Sequence, residues 1–369
     1  MSLFLSNRSI ISAAQSKVDA AAGEAPKDKE IAQSPEDSVS DICFSPQADY
    51  LAAASWDHRV RIYEVSKSGD SEGKALYEHQ APALSVHWSP DGTKVVSAGS
   101  DRAGRLFDLQ TGQSSQIAAH DATIRSIRFV DVGNSSQPIV VTGSWDKTLK
   151  YWDLRAQTPA LTVHLPERVY AMDAKKKLLI VGTADRKLSF VNLDHPDRIS
   201  KTIESNLRRQ TRVLAVHPNA DAYMVGSIEG RCAYAYIDEQ ENKKSGITFR
   251  CHREPATTAP RAETNIYSVD AVDFHPTTNI FTTAGSDGAF NFWDKDARSR
   301  VKAYSGGGGS IPCTAFNKTG SIFAYAISYD WSMGHRFNKP DYPTTIKFHI
   351  IRDEDIKSSA GKKHTGQKR

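Results

Sequence analysis

Cysteine is scarce in this chain, and none of it is spaced for chemistry. Cys43, Cys232, Cys251 and Cys313 contain no C-x-x-C pair. Three of them fall in apolar, strand-like runs, so buried free thiols in a reducing compartment, cytosol or nucleus, are expected rather than zinc or a disulfide framework. No apolar run approaches the roughly 18 to 20 residues that cross a bilayer, so no membrane insertion is expected. No G-x-x-x-x-G-K-S/T loop is present. Gly306 to Gly309 carries no lysine and runs into Ser310-Ile311-Pro312, and reads as a flexible connector. No His, Cys or Asp pair has metal-ligand spacing, so neither metal nor cofactor is expected. A dominant charge is missing too: 47 Lys and Arg oppose 43 Asp and Glu, for a net +4. Such a balance does not by itself imply nucleic acid; any anion-binding surface must come from local clustering.

What the chain does have is a repeat. Ile139 to Leu154 (IVVTGSWDKTLKYWDL) reads as an apolar strand, a tight turn at Ser144-Trp145-Asp146-Lys147 and a second alternating strand. Aligning on the turn acid finds the same unit at Asp57, Asp101, Asp146, Asp185, Glu229, Asp287 and Asp330. In the first six units Tyr63, Phe107, Trp152, Val191, Ala235 and Trp293 follow six residues later. The seventh has an insertion before Ile346 to Ile351, with His349 in the tryptophan slot. Turn signals such as Ser89-Pro90-Asp91-Gly92 and His275-Pro276 join the first two strands of a unit. A period near 44 residues with about four short strands per unit predicts an all-β, seven-bladed WD-repeat β-propeller.

Residues 29–352 are assigned to the propeller. Residues 1–28 read as a flexible N-terminal leader and 353–369 as a charged, solvated C-terminal tail. An open ring would expose sheet edges, so the segment near Lys29 to Ser34 is expected to supply the outer strand of the last blade.

His120, Thr142 or Ser144, Asp146 and Trp152 have the ingredients of a catalytic triad. Similar sets recur, as with His79, Ser97 and Asp101, and Asp287 holds the equivalent position later in the chain. A catalytic site should occur once, with an oxyanion hole and a pocket. The recurring set reads as a structural hydrogen-bond chain within each blade, and no catalytic residue is assigned.

Between Gly226 and Arg300 the repeat departs from its own pattern. Gly226-Ser227-Ile228-Glu229-Gly230-Arg231, Phe249-Arg250-Cys251-His252-Arg253 and Phe292-Trp293-Asp294-Lys295-Asp296-Ala297-Arg298 stand out, followed by Ser328-Tyr329-Asp330-Trp331-Ser332 with Gly334-His335. With these motifs the chain closely resembles the messenger-RNA export propellers of the nuclear pore, and less closely the related mitotic-checkpoint propellers of the Bub family. The resemblance implies a non-enzymatic adaptor, monomeric or heterodimeric. Such an adaptor binds a GLEBS hairpin of a phenylalanine-glycine nucleoporin, engages RNA, and moves between nucleus, pore and cytoplasm.

In the resembling family, residues matching Arg231, Phe249, Trp293, Asp294, Lys295 and Arg298 help to hold an acidic, nucleic-acid-like ligand. Arg250 and Arg300 flank them, and adjacent blades are expected to bring the whole set to one rim. There the cations would meet phosphates of single-stranded RNA, and Phe249 or Trp293 would offer a stacking surface. The same positions have structural readings: Trp293 and Asp294 are ordinary WD positions, and Phe249 can be core or surface. Two other functions stay open. One is a spindle-checkpoint propeller that holds a kinase hairpin. The other is a substrate receptor of a cullin-RING ubiquitin ligase, for which Trp152-Asp153-Leu154-Arg155 supplies a W-D-x-R pattern.

Overall fold

The computed structural model describes residues 28–133, 138–255, 263–305 and 307–357. Seven four-stranded antiparallel sheets follow one another along the chain, and their innermost strands pack neighbour to neighbour round a closed ring. Blade three, the clearest repeat, comprises Ile124–Val130, Ile139–Ser144, Thr148–Trp152 and Leu161–His164 from the axis outwards. Its second strand is buried throughout, because neighbouring blades cover both of its faces. The hydrophobic core is accordingly divided into seven clusters, each wedged between two adjacent blades.

Antiparallel pairing gives the disc two unlike faces. The upper face carries the turn between second and third strands and the connection from each blade to the next. The lower face carries the other turns. In six blades the pairing of first and second strands slips at the second residue of the inner strand. Such bulges re-aim the extra residue. Five of the six extra residues, Ser40, Arg125, Tyr170, Arg212 and Asp270, line the central channel, a cavity of about 470 Å³.

The seventh blade is closed from both chain ends. Lys29–Glu30 pairs antiparallel with Thr345–Ile350, Lys29 opposite Phe348 and Glu30 opposite Lys347. The expected outer strand is thus present, though only two residues long. Both expected boundaries need correction. Asp28 belongs to the fold, accepting from the Tyr325 hydroxyl at 2.9 Å and facing Nδ1 of His349 at 2.9 Å. At the other end Asp353–Ile356 forms a short helix rather than solvated tail. Its Asp355 is wholly buried and accepts from the Tyr304 hydroxyl at 2.5 Å, with Nε2 of His349 at 3.3 Å. The composition of the tail hid this one inward carboxylate. Residues 1–27 and 358–369 lie outside the described residues. Gly306 does as well; the Gly309 that follows is no loose connector, since a Cβ there would meet Ile327, Pro343 and Tyr342 at about 3 Å.

His349 therefore sits between two carboxylates, one from each end of the chain. Burial opposes its charge, but the hydrogen bonds to Asp28 and Asp355 outweigh burial and lift it to about 9. A histidine raised above its usual value of about 6.5 adds stability that is full below that value and is lost as pH rises through about 9. Thermal unfolding should show the Asp355→Asn protein less stable than wild type by about 2 kcal/mol at neutral pH, the gap narrowing above pH 9. Deleting residues 1–36 should lower the melting temperature by several degrees, whereas deleting 1–22 should leave it unchanged; equal melting temperatures would refute the seam.

Candidate nucleic-acid and hairpin interface

The triad-like sets are blade fasteners. In blade three His120 lies in the connection from blade two, where its Nδ1 is 2.7 Å from Asp146 and its Nε2 2.7 Å from the Thr142 hydroxyl. The Trp152 indole N–H donates to the same hydroxyl at 2.8 Å. Thr142 is therefore the third member, and Ser144 instead donates to backbone carbonyls of Ala122 and Thr123. His79, Ser97 and Asp101 repeat the arrangement, with Tyr77 donating to Ser97 in place of a tryptophan. Blade six has a third copy, His252–Thr283–Asp287 closed by Trp293. The sequence reading missed His252 as a fastener because a long insertion separates it from its acid. The position six residues after the acid, already tryptophan, was the available signal.

The residues assigned to one rim are divided by depth. Arg231 opens the third strand of blade five and Arg250 closes its outer strand, directly opposite each other on the upper face. Lys295, by contrast, follows the third strand of blade six on the lower face, its ammonium 5.9 Å from the rings of both Tyr234 and Tyr236. Tyr236 is the far end of the strand that Arg231 begins, which puts the two levels roughly 16 Å apart at about 3.3 Å per residue. Asp294 caps the lower-face turn by accepting from the backbone of Asp296 and Ala297. Arg298 is exposed in that turn with a left-handed φ of 51°, and Arg300 reaches the Asn291 side chain at 3.3 Å. Arg155 is also on the lower face, clamped to Asp153 at 2.5 Å.

Phe249 and Trp293 join these levels but present no stacking surface. Both are buried, with ring centroids 4.8 Å apart, in the cluster between blades five and six. Phe249 is core because the outer strand turns alternate residues inward, and Thr248 and Arg250 take the solvent side.

Three arginines that the sequence reading did not assign to the rim complete the upper-face cluster. Arg208 and Arg209 lie in the connection between blades four and five. With Asn206, Leu207, Glu229, Arg231 and Thr248 they line a groove of about 480 Å³. Arg253 donates to the Glu229 carbonyl at 2.8 Å; burial first, then the nearby Arg231 and Arg250 charges, hold its guanidinium below the usual range. Glu229 is the one acid of the groove lining, 3.6 Å from Arg231, and it also accepts from the Arg208 backbone N–H. The groove is a net cation site. The signal was the Arg208-Arg209 pair itself, in a connection that lacks the histidine found in other blades.

The channel is closer to balance. Arg128 lies 3.4 Å from Asp173, and Arg212 3.1 Å from Asp270. Burial pushes Asp270 up to about 6 and Asp273 to about 7, and pulls Arg125 down to about 10. Among the described residues no group of three or more His, Cys, Asp or Glu could hold a metal ion.

Exposed apolar side chains add a second theme on the upper face. Of the eight large ones among the described residues, Trp145, Ile228, Ile266, Met333 and Phe337 belong there. Trp56 and Trp331, from turns of blades one and seven, stack with centroids 3.8 Å apart and planes 17° apart. Trp331 holds a left-handed φ of 61°, which is strained for a bulky side chain.

The family model described as WD domain, G-beta repeat matches residues 29–64, 71–108, 112–153 and 248–294. The "Poly(A)+ RNA export protein" of Schizosaccharomyces pombe is 54% identical over 94% of this chain and 96% of its own length. The "mRNA export factor GLE2" of Chaetomium thermophilum is 46% identical, covering 91% and 93%. "Protein Rae1" of Drosophila melanogaster is 41% identical, covering 89% and 95%.

Because Phe249 and Trp293 are core, Phe249→Ala or Trp293→Ala should cost about 3 to 5 kcal/mol in denaturant unfolding. Arg231→Glu and Lys295→Glu should leave the unfolding midpoint nearly unchanged. A Phe249→Ala midpoint equal to wild type would return that ring to the surface.

Proposed function

The chain belongs to the WD-repeat mRNA export factors, a non-enzymatic family, and from that footing we propose that it acts as a nuclear-pore adaptor with two ligands on its upper face. The first is a GLEBS-type hairpin of a phenylalanine-glycine nucleoporin. The second is single-stranded RNA, held at the arginine groove between blades four and five. The protein would then reside in the nucleus, at the pore and in the cytoplasm, as a transport adaptor must.

The observation that carries the hairpin reading is that five of the eight exposed large apolar side chains among the described residues gather on one face of the disc. A rigid propeller has no core use for Trp145 or Ile228 at turn tips, and exposed apolar patches mark interaction sites. The Trp56–Trp331 stack continues the theme, since a strained bulky residue points to function rather than to folding. Support for RNA comes from Arg208, Arg209, Arg231, Arg250 and Arg253 gathered round one groove. Lys295 and Arg298 on the lower face are too distant to serve the same phosphates.

Two measurements test this. A GLEBS peptide should bind the purified chain and lose at least about tenfold, near 1.4 kcal/mol, in a Trp145→Asp/Ile228→Asp protein of unchanged melting temperature. A checkpoint-kinase hairpin that bound more tightly than the GLEBS peptide would redirect the reading to the spindle. For RNA, three or four phosphate contacts predict a log–log salt slope of roughly −2 to −3, at about −0.7 per phosphate. The Arg208→Glu/Arg231→Glu protein should flatten that slope, and Lys295→Glu/Arg298→Glu should not. An unchanged slope in the first protein would rule out the groove.

A further inference from the structure

Inside blade five the sulfurs of Cys232 and Cys251 are 3.7 Å apart, and neither ligand proposed for the upper face uses them. Cys232 is the second residue of the third strand and fully buried. Cys251 immediately follows the outer strand and is 7% exposed. The backbone around them is already zipped: Arg231 opposes Arg250, Cys232 opposes Phe249, and the Cys251 N–H donates to the Gly230 carbonyl at 3.1 Å. Two thiols thus stand side by side at the last rung of the blade. A disulfide has its sulfurs about 2.05 Å apart, so the pair must close by about 1.6 Å.

We propose that Cys232 and Cys251 form a peroxide-responsive dithiol, a modification site that closes to an intramolecular disulfide across blade five. Cys251, the less deeply buried of the two, attacks the peroxide O–O bond as thiolate. Its sulfur becomes a sulfenic acid and the departing hydroxide takes up a proton as water. Cys232 then attacks that sulfur and expels the second oxygen as water, so two thiols are oxidised and one peroxide is reduced. Burial, with Cys232 beside it, holds the resting Cys251 thiol well above its usual range. Reaction therefore waits on opening of the four-residue outer strand, where the neighbouring His252 cation favours the thiolate. The crosslink lies one residue from both Arg231 and Arg250, and it locks their rung whether or not RNA binds there.

The test uses the full chain exposed to hydrogen peroxide, then alkylated and digested with trypsin. Cleavage after Arg231, Lys243, Arg250 and Arg253 leaves peptide 232–243 joined to 251–253, lighter than its two parts by two hydrogens and separated by dithiothreitol. This species should accumulate before Cys43 or Cys313, which line the channel, are oxidised. In a Cys232→Ala protein the second step is removed, and Cys251 should instead be trapped by dimedone as the sulfenic acid. Finding both thiols still alkylatable once Cys43 is oxidised would overturn the proposal. So would oxidation of wild-type Cys251 to sulfinic acid without the linked peptide.

Discussion

His349 faces a carboxylate on each side, Asp28 from the start of the described chain and Asp355 from its end. Each blade of a ring is covered by two neighbours, so a gap at any one junction uncovers two apolar faces, and loss of Lys29–Glu30 also leaves the Thr345–Ile350 strand as an open edge. Six junctions are secured by continuous chain. The seventh depends on a two-residue strand and on this buried charged group. Around it the Tyr63 hydroxyl donates to the Gln33 carbonyl at 2.6 Å, and Ile31 joins the wedge between blades one and seven. A strand of two residues is too short to hold a ring shut by its ladder alone. The His349 pairing, the Tyr304 and Tyr325 hydroxyls and the apolar wedge make up the difference.

With the ring closed, the disc is rigid and its two faces are free to differ. In blades two, three and six the WD fasteners use His, Ser or Thr, and Asp at the upper end of the blade, and these side chains turn inward. Turn residues between them are released from any packing duty. That explains how Trp145 can be exposed one residue from Asp146, the acid that fastens blade three. The lower face turns are instead stitched to themselves, as where Asp294 accepts two backbone N–H groups and Asp153 clamps Arg155. Five of the eight exposed large apolar side chains among the described residues, and the arginine groove, lie on the upper face.

Most of the fold could be read from the sequence, because a repeat reports the same physical requirement many times. The turn acids, the residue six positions on and the need to cover a sheet edge led to seven blades and to the outer strand near Lys29. What escaped was single. Asp355 is one inward carboxylate in a charged stretch, and nothing local separates it from Asp353, which is exposed. The candidate interface could be read by residue type but not by depth. Arg231 and Lys295 both flank third strands, and only the direction of travel along the strand tells that one begins it and the other follows its end. Phe249 was undecidable without the outer-strand register that turns it onto Trp293.

The arginine groove lies where the repeat is weakest. In blades two, three and six a histidine in the connecting segment must reach the acid of the following turn, which fixes both the sequence and the path of that connection. Before blade five no histidine is present, and Glu229 keeps only the backbone contact from the connection, the Arg208 N–H, which Asp101 and Asp146 also receive from Gln80 and Asp121 beside their histidines. A backbone donor can be supplied by any residue type. The side chains of the connection are thereby freed from the fastener, and Arg208 and Arg209 use that freedom to line the groove beside Arg231. Losing one structural hydrogen bond to a side chain turns a scaffold position of the repeat into available surface, with the blade still held by its ladder and by the wedges on either side.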